Sequence, residues 1–171
     1  MNGKQNVNIR QAVQADAEML AQLNSEVQQV HAEARPDIFK PAGDLEPFIN
    51  DFHGRLLANP DGRMLIIEVE GEPVGYVYAQ VSTRPETAYG YGRSSVHIDQ
   101  IGVKAPHQGQ GYGRALIEAV FAMARAQGIS RVTLSSWAFN TQAHAFFNKC
   151  GFKPYTHNFE TFVDQDYSGQ D

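Results

Sequence analysis

The sequence predicts a single mixed α/β domain over residues 1–163, with 164–171 as a frayed tail. Three observations carry this. The 171 residues suffice for one domain with its own core and fall short of two. After a short alternating start, apolar spacing is helical from 19 to 57, alternates between 64 and 103, and then switches period repeatedly as far as 163. A glycine-rich turn also joins an alternating run directly to a strongly amphipathic one.

VNIRQAV (7–13) alternates and reads as a first strand. Asp16 is placed to cap a helix whose buried face is Met19, Leu20, Leu23, Val27 and Val30. ARPDIFKPAG (34–43) breaks it, and Asp44 opens a second helix through Phe48, Ile49, Phe52, Leu56 and Leu57. MLIIEVE and PVGYVYAQVST then flank Glu70-Gly71-Glu72 as an antiparallel hairpin. The loop RPETAYGYGR (84–93) leads to a strand, SVHIDQIGV (95–103). Past the glycines, Leu116, Ile117, Val120, Phe121 and Ala124 mark a helix ending at Gly128. RVTLSSW reads as strand, TQAHAFFNKC as a short helix closed by Gly151, and FKPYTHNFETFV (152–163) as a last strand.

The formal charge of −5 and singly scattered basic residues argue against a nucleic-acid partner. No apolar run is long enough to cross a bilayer, so no membrane partner is expected. The N-terminus has no secretory apolar stretch, which makes the cytoplasm the expected location. The single Cys150 reads as a small buried hydrophobe in a reducing compartment. The six histidines show no metal-ligand spacing, and no metal is expected.

KAPHQGQGYGRAL (104–116) carries the chemistry. Its form is strand, glycine turn, helix N-terminus, where unpaired N–H groups and the helix dipole favour an anion. Gly109, Gly111 and Gly113 would let a phosphate or pyrophosphate reach the backbone, and Gln108 to Arg114 would supply the donors. A dinucleotide fingerprint fails in both frames, because Arg114 or Leu116 stands at its last glycine. A P-loop fails for want of Gly-Lys-Ser/Thr.

What remains, Gln108-x-x-Gly111-x-Gly113 after Val103, resembles the phosphate-binding signature of the GNAT superfamily of acyl-CoA N-acyltransferases. A second block, Asn140-x-x-Ala143-x-x-Phe146-Phe147-x-x-x-Gly151-Phe152, is similar to the family's Asn-x-x-Ala-x-x-Phe-Tyr-x-x-x-Gly-Phe. The element order from residue 7 to 163 agrees as well.

The resemblance implies a β-α-α-β-β-β-α-β-α-β fold with a splayed central strand pair, and acetyl-CoA as the donor. It implies that Ile101 and Val103 bond the cofactor through their main chain, with Gly102 between them at a bulge. Gln108, Gly109, Gln110, Gly111, Tyr112, Gly113 and Arg114 would hold the pyrophosphate. Asn140 would contact the cofactor from the far side of the splay, a role compatible with helix capping.

The implied reaction is N-acetylation of a primary amine. An amine of pKa ~10.4 must first lose a proton. Asp99 and His97, two apart on the cofactor strand, are the candidate bases, Asp99 preferred. The family's proton-donating Tyr is here Phe147, which cannot donate; it would wall off the thioester, and Tyr112, Tyr155 and His144 are possible substitutes. Loops beside the acceptor groove offer Glu33, Asp37 and Glu86 to a cationic amine, with Tyr89 and Tyr91 to pack against it. The acceptor is expected to be a small-molecule amine; alternatives are a protein N-terminus or lysine, and a CoA-binding sensor that has lost turnover. Dimers are common among proteins of this resemblance, which leaves a homodimer open.

Overall fold

A computed structural model describes residues 5–163; the predicted tail, 164–171, lies outside them. The chain runs β1 (Val7–Gln11), α1 (Ala17–Ala34), α2 (Glu46–Asp51), β2 (Gly62–Val69), β3 (Glu72–Arg84), β4 (Arg93–Val103), α3 (Tyr112–Ala126), β5 (Val132–Leu134) and α4 (Thr141–Lys149). A π-helical turn, Phe52–Leu56, extends α2. The five strands lie side by side in sequence order. All pairs are antiparallel except β4 with β5. Among the described residues no helix is long and apolar enough to cross a membrane.

Each face of the sheet buries its own core. Ile67, Val77, Val96 and Ile98 pack under Leu116, Ile117 and Val120 of α3. Ile66, Tyr76 and Tyr78, which point the other way, pack under Leu20, Leu23 and Phe52. The β2–β3 hairpin closes over two residues, Glu70 and Gly71, with φ of 51° and 82°. Both positive values are what a type I′ turn needs.

Glycine brings the central strands together. A Cβ on Gly75 would stand 2.7 Å from the carbonyl oxygen of Gly102, a backbone atom that cannot swing away. Gly75→Ala is therefore expected to cost about 2 kcal/mol and lower Tm by roughly 4–8 °C, as differential scanning fluorimetry would read.

Three expectations are corrected. Asp16 precedes α1 but makes no capping bond to it. Its carboxylate instead accepts two hydrogen bonds from Arg10, at 2.7 and 2.9 Å, and one from the Val13 N–H at 2.8 Å. The Arg10 bonds, ahead of the others, hold the Asp16 carboxyl below the usual range. A depressed folded-state value means stabilisation that is complete above the unfolded pKa of ~3.9 and lost as pH falls through the folded one. Asp16→Asn should thus cost about 1–2 kcal/mol at neutral pH, a gap that closes in urea melts run progressively below pH ~4.

Second, the bulge in β4 is not at Gly102. Tyr78 pairs with Gln100 and Ala79 with Ile98, so Asp99 is the extra residue. Gly102 makes room instead: its Cβ would stand 2.8 Å from Val27 of α1 and 3.1 Å from Tyr76.

Third, the final strand of the predicted order is not formed: residues 152–162 hold no regular structure. Pro154 removes one ladder donor, and β5 offers only three residues of edge.

Candidate active site

β4 and β5 pair only over Val96–Ile98, and beyond that point they part. The Lys104 N–H bonds the Val74 carbonyl of β3, so alternation turns the main-chain groups of Ile101 and Val103 toward the opening. A cleft of about 1230 Å³ occupies it, reaching from the glycine loop past β4 to α1, α2 and the start of α4.

The loop forms its end wall. Gly109 and Gly111 adopt φ of 75° and 93°, conformations that exclude most side chains, and a Cβ on either would meet only open space. Among the described residues none of the backbone N–H groups from Gly109 to Arg114 donates a hydrogen bond. Gly111 is the N-cap of α3, so the last three of these are the free donors of the helix. Gly113 serves packing: a Cβ there would press to 3.1 Å on the Phe146 ring.

Side chains brace this wall from behind. Gln108 donates to the Val103 carbonyl at 2.9 Å and Gln110 to that of Pro106 at 3.0 Å. Arg114 donates to the Lys149 carbonyl at 2.7 Å, and the buried Tyr112 hydroxyl donates to Gln5 at 2.9 Å. The Gln110 and Tyr112 side chains stay outside the cleft. Across it, Asn140 caps α4 by accepting the Ala143 N–H at 3.2 Å, which leaves its amide N–H₂ without a partner among the described residues. Phe147 lines the cleft beside Phe146.

His97 faces the α1 side by alternation with Val96 and Ile98, which are committed to the α3 core, and the bulged Asp99 lines the same cleft. The His97 Nδ1 lies 2.9 Å from the Thr133 hydroxyl of β5, and its Nε2 lies 3.6 Å from Asp99. The other Asp99 oxygen accepts from Gln80 at 2.6 Å. Both side chains are about one-third exposed, 30% and 33%, and so reachable by solvent and ligand. Each candidate base is thus fixed by a partner on a neighbouring strand, and the pair is mutually in contact.

Several predicted residues lie elsewhere. Glu33 accepts from Gln29 on the outer side of α1, and Asp37 is engaged by Arg35. Neither lines the cleft, nor do Glu86, Tyr89 and Tyr91 on the β3–β4 loop. Tyr112, Tyr155 and His144 do not line it either. Cys150 is also outside, and burial pushes its thiol up.

The open end of the cleft is built from residues the sequence did not single out: Asn24, Asp51, Arg55, Gln100 and Trp137, with Phe39. Arg55 is bound to Asp51 at 2.6 Å. Asn24 donates to the Tyr76 hydroxyl at 2.7 Å; burial, partly offset by this bond, pushes that phenol up to about 12 and keeps it protonated. His31, Phe39, Trp137 and Phe139 form an aromatic wall with ring centroids 5.0–6.2 Å apart. These positions come from five separate segments of the chain, and no local motif marks them.

Comparison with known proteins agrees with this geometry. The Acetyltransferase (GNAT) family model matches residues 24–152. Aminoglycoside N(6′)-acetyltransferase type 1 of Stenotrophomonas maltophilia is 33% identical over 146 residues, 85% of either chain. Among solved structures, the tetramutant of a Bacillus halodurans protein superposes with a TM-score of 0.80 at 24% identity, covering 91% of this chain and 99% of that one. An aminoglycoside N-acetyltransferase in complex with CoA gives 0.71 at 15% identity, covering 96% and 99%. With cradle, parted strands and family match in agreement, the chain belongs to the GNAT acetyltransferase family and is an acyl-CoA-dependent acetyltransferase.

Proposed function

We propose that this enzyme moves the acetyl group of acetyl-CoA to a primary amine of a small molecule. The observation that carries the reading is the run of free N–H groups from Gly109 to Arg114, on the same cleft as His97 and Asp99. The residues present fit the cofactor. The two open glycines leave the backbone bare for a pyrophosphate, and the α3 dipole adds about half a positive charge. The outward main-chain groups of Ile101 and Val103 are disposed for an amide-bearing arm, except that the Val103 carbonyl is already used by Gln108. Asn140 keeps two donors for the same ligand, and Phe147 closes the apolar side.

Bound acetyl-CoA supplies an acyl carbon activated as a thioester. Asp99, oriented by Gln80, is the first choice to take the proton of the incoming amine; His97, oriented by Thr133, is within reach of the same path. Main-chain N–H groups on the open edge of β4 would stabilise negative charge on the acyl oxygen. With Phe147 in place of a donor, the departing thiolate takes its proton from water.

The Asp99 carboxylate and the wall of Phe39 and Trp137 favour a cationic acceptor with an apolar or ring surface, while Asp51 is already paired with Arg55. The relative from Stenotrophomonas is named for an aminoglycoside, a polyamine of this kind. The test is CoA release from acetyl-CoA against aminoglycosides, polyamines, amino acids and peptides. Turnover with a small amine supports the reading; turnover confined to peptides overturns its acceptor, and CoA binding without any turnover overturns the acceptor and the base together.

A further inference from the structure

The turn that leads into β2 does more than redirect the chain. It reads Asn59-Pro60-Asp61-Gly62, and the Gly62 N–H closes it on the Asn59 carbonyl at 3.1 Å. Inside it the Asp61 N–H donates to the Asn59 Oδ1 at 3.0 Å. A backbone N–H can only donate, so this bond decides which end of the Asn59 amide is oxygen. The Nδ2 end then donates twice, to the Tyr78 hydroxyl at 2.8 Å and to the Gln80 Oε1 at 3.1 Å. With its oxygen engaged, Gln80 turns its N–H₂ to the other side, where it donates to the Asp99 Oδ2 at 2.6 Å. A direction set by one main-chain donor is thus passed through two amides to the candidate base. Neither Asn59 nor Gln80 lines the cleft. The second Asp99 oxygen, Oδ1, is left on the side of the His97 Nε2, 3.6 Å away.

We propose that Asn59 and Gln80 are positioning residues for the base. Their amide chain, polarised by the Asp61 N–H, offers Asp99 a donor and not an acceptor, and so keeps Oδ1 for the proton of the incoming amine. The proposal rests on the reading of Asp99 as that base. Two partners hold Gln80 against a flip of its amide. Reversed, it would set oxygen against the Asp99 carboxylate and N–H₂ against the N–H₂ of Asn59. The ionisable groups around this chain are His97 on β4 itself, Arg55 with its partner Asp51 on the same cleft, and Tyr78 on β3. Asn59→Asp reverses the chain while leaving all of them in place. A carboxylate at 59 offers Gln80 only oxygen, so the Gln80 amide must turn its N–H₂ toward it. Its own oxygen then faces Asp99, a contact that only a protonated carboxyl satisfies.

The acid limb of the kcat/KM profile should therefore move up by about one pH unit in Asn59→Asp. The shift should persist in about 0.5 M salt, which screens a remote charge and not a contact. Gln80→Leu removes the donor without adding charge; it should move the limb the same way and lower kcat about tenfold, with KM for acetyl-CoA unchanged. Tyr78→Phe removes the other Asn59 bond and is the structural control: it should lower Tm and leave the limb in place. An unmoved limb in Asn59→Asp, a shift abolished by salt, or an equal shift in Tyr78→Phe would each overturn the proposal. Asp99→Asn run in parallel separates its failure from that of the reading beneath it. If that variant leaves the profile unchanged, the base lies elsewhere and both fall. A limb erased by Asp99→Asn yet unmoved by Asn59→Asp overturns the positioning alone.

Discussion

Gly111→Glu should weaken CoA binding at least ~100-fold in titration calorimetry, the equivalent of about 2.7 kcal/mol, while the protein stays folded. Two penalties act independently. At φ 93° a side chain strains the backbone, which costs about 1–2 kcal/mol. The new carboxylate would also stand at the α3 N-terminus, taking the donors meant for phosphate and repelling its charge. Gly111→Ala isolates the first penalty and should lose only about tenfold. No Cβ clash confuses the result, since open space surrounds the position. Unchanged affinity in the glutamate variant would remove the loop from the binding site.

Asp99→Asn should lower kcat by about 10²–10³-fold with little change in KM for acetyl-CoA. The substitution is isosteric and retains an oxygen for the Gln80 amide, so lost activity would report lost proton acceptance rather than lost shape. His97→Ala should act on the same parameter to a smaller extent. Whichever variant erases the acid limb of the pH profile of kcat/KM identifies the group that takes the proton. Two unchanged profiles would place the base outside this pair.

Most of the fold was legible because period reports burial. The helices under the α1 face, the hairpin over Glu70-Gly71 and the glycine loop all follow from spacing and turn chemistry. Gly102 was misread because glycine in a strand has two causes, a bulge or a close neighbour. Only the β3–β4 register and the position of Val27 separate them. Residues 152–163 were misread for a different reason: alternation says which faces a segment would bury, and not that an edge is there to receive it. Acceptor residues were sought on the segments 30–40 and 84–93, whereas Asp51, Arg55, Gln100 and Trp137 converge on the cleft from distant parts of the chain. The glycine loop did announce its own geometry, although it did not reveal that Gly113 answers to Phe146 while Gly109 and Gly111 face open space.

The bulge in β4 has a consequence for what selection can do there. Remove Asp99, and Tyr78↔Gln100 and Ala79↔Ile98 become neighbouring rungs of an unbroken ladder. Ile98 and Ile101 would keep their places in the core, and Gln100 its place on the cleft. Asp99 is thus supernumerary to the sheet: deleting it should restore an unbroken ladder and spare the fold while removing the preferred base. The register of the sheet therefore makes no demand on the side chain at this position, which leaves it free to vary without renegotiating the strands around it.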